Sequence, residues 1–203
     1  MPRVSEEHLE RRRRQILDAA RSCFVRRGLH ETSMQDIFAE SGLSAGAVYR
    51  YFKSKNEIIE AVASTVISDL HTFLADLVNR DPIPTLDTVV GLVTDKMVSL
   101  SGPDGPLRLA PQAWALALYD PRLGHYVEEN VRNLRGTWIA YARRLTEAGL
   151  LPAGTDADAA GKLLFGLLPG FLLQRLILGD VDPDDFRRGI QALARASMTS
   201  LAT

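Results

Sequence analysis

At 203 residues the chain has room for one or two small domains, and 46% hydrophobic with 24% charged residues is the mix of a globular fold rather than a disordered one. A single cysteine, Cys23, excludes an intramolecular disulfide framework; His8, His30, His71 and His125 fit no zinc spacing, and the longest apolar run, Leu163 to Leu173, is short of a membrane span. The net charge of −1 is unevenly placed, with 11 Lys and Arg against 7 Asp and Glu in residues 1–55 and 13 against 18 in the rest, so the N-terminal quarter suits a polyanion. No metal or cofactor is expected, and with no apolar leader a cytoplasmic location is.

In chain order, a first helix from about Ser5 to Arg27 buries Ile16, Ala20, Cys23 and Phe24 and ends at Gly28. Its run Arg11 to Arg14 points around most of the helix and reads as solvated surface, with a flanking phosphate contact as the alternative. A second helix opens with Thr32 as N-cap and Gln35 completing a capping box, shows an apolar stripe of Met34, Ile37 and Phe38, and stops at Ser41-Gly42. Ser44 caps a third helix, with Ala45, Val48 and Phe52 on its packed side and Gly46, Tyr49, Arg50 and Lys53 on its free side. Ser54 and Glu57 form a second capping box, starting a helix to about Asn79. Pro and Gly clusters divide the remainder into helices near 84–101, 106–119, 121–149, 156–179 and 183–201, the last with Asp182 as cap and Pro183 at its first position. No strand and no internal repeat is read.

Two short helices joined by a tight turn, the second with a free face of Tyr, Arg and Lys, suit a major groove wide enough to admit a helix. Arg50 is the candidate base reader; Tyr49, Tyr51, Lys53 and Lys55 are candidate phosphate contacts, so Lys55→Ala should weaken binding to all sequences alike. Gly46 costs a helix about 1 kcal/mol relative to Ala and is explained either by close approach of DNA or by packing on the preceding helix.

Thr32, Ile37, Gly42, Leu43, Ser44, Gly46, Tyr49, Phe52 and Lys55 together resemble the signature of the tetracycline-repressor (TetR) family, over about fifty N-terminal residues. The resemblance implies an all-α homodimer: a three-helix helix-turn-helix DNA-binding domain, here 1–54, and a larger helical ligand-binding and dimerisation domain, here 55–203. It implies DNA contacts at Thr32, Ser33, Ser44, Ala45, Gly46, Ala47, Tyr49, Arg50, Tyr51, Lys53 and Lys55. Phe38 departs from the small residue more usual there, and Ala45 and Ala47 put little side chain near the bases, which leaves readout to Arg50, a thymine-methyl contact and DNA shape. Gly42 to Gly46 also matches G-x-S-x-G, but a hydrolase elbow needs a strand before Ser44, where a helix is read instead.

The helix around 160–178 is apolar nearly all round and must be covered on more than one side, by its own domain and by a second subunit, or else it is the centre of one large core. The dimer reading names Leu163, Gly166, Leu167, Gly170, Phe171 and Gln174, with Ile190, Leu193, Ala194 and Leu201 of the last helix. Met97, Gln112, Trp114, Tyr119, Tyr126, Trp138, Tyr141, Phe165 and Gln174 are candidates to line a pocket for an apolar or aromatic small molecule, each taken singly being as well explained by core packing. A cationic ligand would add a carboxylate such as Asp95 or Glu128.

The expected function is a ligand-responsive repressor, not an enzyme, whose homodimer holds a near-palindromic operator in successive major grooves and is released by a small molecule through tilting of the 55–79 helix. The alternatives are a ligand-independent DNA-organising protein, or a serine hydrolase at Ser44.

Overall fold

The computed structural model describes residues 6–199, and all regular structure among them is helical. The elements are α1 (Glu6–Glu31), α2 (Met34–Ser41), α3 (Ala45–Tyr49), α4 (Lys55–Val78), α5 (Leu86–Leu100), a 3-10 turn (Pro106–Leu109), α6 (Ala110–Ala117), α7 (Pro121–Glu147), α8 (Ala157–Ile177) and α9 (Pro183–Thr199). The chain therefore has the all-α architecture expected.

Local chemistry sets the boundaries. Gly28 interrupts α1 where expected, at φ 87° and ψ 163°, a backbone state open to glycine, but the chain then regains one more turn as far as Glu31. The cap of α2 is shifted by one residue from the expected Thr32. Ser33 accepts the Asp36 N–H while the Asp36 carboxylate accepts the Ser33 N–H, at 3.2 and 2.9 Å. At α4 the Ser54 hydroxyl accepts the Glu57 N–H at 3.2 Å, but the Glu57 carboxylate reaches one residue further back, to the Lys53 N–H at 2.6 Å. Asp182 and Asp185 cap α9 reciprocally, at 2.9 and 3.0 Å.

Packing divides the chain into two compact units, Met1–Ile67 with Pro103–Val127, and Ser68–Gly102 with Glu128–Thr203. The expected division falls at 54/55, whereas packing joins the first turns of α4 and residues 103–127 to the first three helices. The core of the first unit takes Ile16, Ala20 and Phe24 from α1, Ile37 from α2, Val48 and Phe52 from the third helix and the turn after it, and Ile58, Ile59 and Val62 from α4. Leu109, Ala113 and Leu123 close it. Each such large aliphatic contributes about 1.5–3 kcal/mol by leaving water.

The second unit buries Leu74, Leu77 and Val78 of α4, Val89, Val90, Val93 and Met97 of α5, Trp138, Tyr141, Ala142 and Leu145 of α7, and Leu164, Phe171 and Leu172 of α8. A side chain at Gly161 would overlap the backbone of Ile139, so glycine is what lets α8 lie against α7. α4 and α8 are each long and apolar enough to cross a membrane, with mean hydropathy 1.4 and 1.3 over their most apolar windows, which the reading of single apolar runs did not register. Charged residues interrupt both, among them Glu57, Glu60, Asp69 and Asp76 in α4 and Lys162 and Arg175 in α8.

Candidate nucleic-acid interface

The reader is framed by its turn. Gly42 takes the left-handed conformation, φ 65° and ψ 19°, and returns its N–H to Ala39 O. Ser44 accepts the Ala47 N–H at 3.3 Å and opens α3, whose five residues are extended by bonds from Tyr51 and Phe52 N–H to Val48 O at 2.9 and 3.1 Å. Val48 and Phe52 are buried. Gly46, Tyr49, Arg50 and Lys53 are exposed on the other side, as the residue pattern implied. Ala45 is exposed too, against expectation, because the first turn of α3 projects beyond the core.

Gly46 faces open space: a methyl group there would meet nothing within 4 Å, which removes packing as its reason. The Arg50 guanidinium has no hydrogen-bond or ion-pair partner among the described residues. The Tyr49 ring packs edge-on against Phe38, centroids 5.5 Å apart, so the unusual Phe38 serves as a wall for Tyr49. Lys53 Nζ donates to Tyr49 O at 2.6 Å and has two further N–H groups. Tyr51 is half-buried against the core and Ala47 half-buried on α3.

Three expected contacts are engaged inside the fold. Thr32 is 1% exposed, its hydroxyl donating to Gly28 O at 2.8 Å, so its side chain is withdrawn from any phosphate. The Ser33 hydroxyl is held in the capping box, donating to Asp36 Oδ2 at 2.7 Å. Lys55 is the most fully engaged of the three. Its ammonium donates to Leu29 O, His30 O and Thr32 O at 2.9, 3.0 and 2.9 Å, which occupies all three of its N–H groups. Lys55 ties the start of α4 to carbonyls of the last turn of α1 and of the link to α2. Nothing in the spacing of one lysine after an aromatic turn could have separated that role from a phosphate contact.

Charges behind the reader are paired. Arg26 meets Glu40 at 2.6 Å and Arg27 meets Asp36 at 2.5 Å. The Ser33 backbone N–H, its hydroxyl and Arg27 hold the Asp36 carboxyl below the ordinary range, and Arg26 with Ser22 does the same for Glu40. Burial pushes the Cys23 thiol up, in keeping with a small core residue. Ser44, preceded by a helix and engaged as a cap, has none of the strand-to-helix geometry of a hydrolase nucleophile.

The nine expected pocket residues are shared between the two units. Gln112, Trp114, Tyr119 and Tyr126 fall in the first unit; Met97, Trp138, Tyr141, Phe165 and Gln174 fall in the second. Tyr119 is 88% exposed. Gln112 accepts the Leu29 N–H at 2.8 Å, satisfying the amide next to the break at Gly28. Gln174 is exposed, its amide turned back onto Gly170 O. Trp138 and Tyr141 are fully buried, rings 6.1 Å apart edge-on; the Tyr141 hydroxyl donates to Pro84 O at 2.6 Å, and burial pushes its phenol well up. Trp138 Nε1 is buried with no acceptor among the described residues. Asp95 pairs with Arg187 at 3.6 Å and Glu128 with Arg132 at 2.5 Å.

On α8, Phe171 proves to be core, edge-on to Phe186 at 5.0 Å, rather than part of an outer face. Leu163, Gly166, Gly170, Leu173 and Ile177 recur at intervals of three and four, and Leu163 and Ile177 are 71% and 73% exposed. Leu173, Ile177 and Leu178 were missed from sequence although the same periodicity contains the first two. Leu167 and Ile190 are half-buried, Leu193 and Ala194 exposed, and Leu201 lies outside the described residues.

A short exposed helix on a capped turn, buttressed by two others, defines a helix-turn-helix DNA-binding protein. Residues 16–62 match the profile of the bacterial regulatory proteins of the tetR family, and residues 96–201 that of the C-terminal region of BetI-type transcriptional repressors. The chain belongs to the TetR family of transcriptional regulators, and is not an enzyme. It is similar to the transcriptional regulator BetI of Serratia proteamaculans, 28% identical over 88% of this chain and 87% of that one. The regulator YfiR of Bacillus subtilis is 40% identical over 34% of this chain, a match that spans only 33% of YfiR. A transcriptional regulator of Saccharomonospora viridis, solved in complex with choline, shares the fold with a TM-score of 0.75 at 20% identity, over 92% of this chain and 96% of that one.

Proposed function

We propose that the chain is a cytoplasmic, ligand-released repressor acting as a homodimer on a near-palindromic operator, with residues 1–54 as reader and 55–203 as the effector-binding and dimerising part. The observation that carries this reading is the exposed face of Gly46, Tyr49, Arg50 and Lys53, with an Arg50 guanidinium unengaged by the fold and no side chain at Gly46 to hold DNA away. Arg50 reads a base edge from the major groove, best a guanine, while Tyr49 and Lys53 fix register on phosphates. Support for the dimer is the stripe from Leu163 to Ile177, which one chain leaves in water and a two-fold copy would cover.

The effector reading rests on Trp138. A buried indole N–H without an acceptor costs about 1–3 kcal/mol, and a ligand oxygen beside it would recover that. Because Asp95 and Glu128 are already paired with arginines, an apolar molecule with an oxygen acceptor suits the second unit better than a bare cation. Release requires that such a ligand bind more tightly to a form whose two readers miss the half-site spacing, and α4, which passes from one unit to the other, is the link. The test is selection of bound DNA from a random pool with wild type and Arg50→Ala. Loss of preference at one base position per half-site supports the reading; unchanged affinity and preference refute it.

A further inference from the structure

The arginine run at the start of α1 has no part in the contacts above, yet its members are not equivalent. Arg14 is paired with Glu10 at 3.3 Å. Arg12 and Arg13 have neutral partners: Arg12 Nη1 donates to Gln15 Oε1 at 2.9 Å, and the Arg13 guanidinium lies over the Phe52 ring, 5.5 Å from its centroid. Neither has a carboxylate within ion-pair distance among the described residues. These contacts fix the two side chains without neutralising them.

Both contacts also lead to the reader. Gln15 Nε2 donates to Ser41 O at 2.8 Å, at the last residue of α2 before the turn, and Phe52 is the core residue that follows α3. Arg12 and Arg13 precede the buried Ile16 by four and three residues, which places them one turn beyond the core on the side of α1 that packs, Arg12 half-buried and Arg13 exposed to solvent. Two held, uncompensated guanidiniums thus flank the groove-binding helix, one tied to the turn before it and one to the turn after it.

We propose that Arg12 and Arg13 form a second DNA contact, gripping phosphates that flank the bases read by α3, through the bidentate geometry that a guanidinium offers a phosphate. The contact positions and strengthens without reading sequence. It rests on the operator reading above and deepens it, since it assigns the grip on DNA to α1 as well as to the helix-turn-helix.

The experiment uses the full chain and the DNA that wild type selects from a random pool, with affinity followed by fluorescence anisotropy across salt. Each phosphate released should lower the magnitude of the log affinity against log salt slope by about 0.9, so R12Q/R13Q should flatten the slope of a dimer by about 2 to 4 while leaving the preferred sequence unchanged. R12K/R13K, which keeps both charges, should restore most of the slope and guards against a fold defect from the lost Phe52 contact. R21Q removes an arginine on the same helix that is paired with Asp18 at 3.4 Å and should leave the slope unaltered. A wild-type slope in R12Q/R13Q, or an equal loss in R21Q, overturns the arginine contact alone. A wild-type chain that selects no sequence at all overturns the operator reading and this contact with it.

Discussion

Lys55→Met separates two accounts of a residue that sequence alone places on DNA. The structure gives its ammonium three carbonyl acceptors, Leu29 O, His30 O and Thr32 O, all within 3.0 Å. A hydrogen bond to a charged group contributes about 1.5–3 kcal/mol, and three sharing one ammonium are not additive, so their joint loss is on the order of 2–4 kcal/mol. At about 2–4 °C per kcal/mol for a chain of this size, the melting temperature should fall by roughly 5–15 °C. Methionine keeps most of the aliphatic stem, so the fall reports the ammonium and not lost packing. The assay is thermal unfolding by circular dichroism, beside operator binding across salt. If Lys55 gripped a phosphate, the variant would melt like wild type and its salt slope would flatten by about 0.9 per subunit. That pair of results would refute the locking role.

Gly46→Leu should fold as stably as wild type or slightly better, because its side chain enters open space and leucine is the better helix former by up to about 1 kcal/mol, yet it should lose operator binding; melting and gel shift check both. Leu163→Glu with Ile177→Glu should give a helical, monomeric chain, since both side chains face water in one copy and would set like charges together across a two-fold; light scattering on the eluted protein decides it. The Asp36 carboxyl, titrating below the ordinary range because Ser33 and Arg27 bond its charged form, adds stability that is present above about pH 4 and lost as pH falls through its native value. The difference in melting temperature between wild type and Asp36→Asn should therefore be open at pH 7 and close on acidification; a difference that persists in acid would remove the capping carboxylate as its cause.

The sequence made the element order legible because each boundary carries local chemistry: Gly28 and Gly42 as breaks, Ser44 and Asp182 as caps, and proline at the entries of α7 and α9. The free and packed sides of α3 were legible for a similar reason, as helical spacing alone sets Val48 and Phe52 apart from Tyr49 and Arg50. Long-range partners were not. Whether Lys55 ends on a phosphate or on carbonyls some 25 residues back depends on where α1 stops, and Gln112 looks like a polar tip for a ligand until the amide of Leu29, 83 positions away, is found at its oxygen. Phe171 was misplaced because a helix apolar on every side gives no phase from which to tell its covered stripe from its bare one.

Distant partners also bind residues 103–127 to the reader. Gln112 holds the amide beside the Gly28 break, Asp120 accepts from Asn56 at 2.5 Å while capping α7 through Arg122 and Leu123 N–H, and Arg122 reaches Glu57 and Glu60 at 3.4 and 3.3 Å. With Leu109, Ala113 and Leu123 in the same core as Ile16 and Ile58, the segment 103–127 is packed into the body that carries α3. A tilt of the first turns of α4 against this body would have to break the Asn56–Asp120 and Arg122 links, so these turns and residues 103–127 hold together as one packed group with the reader.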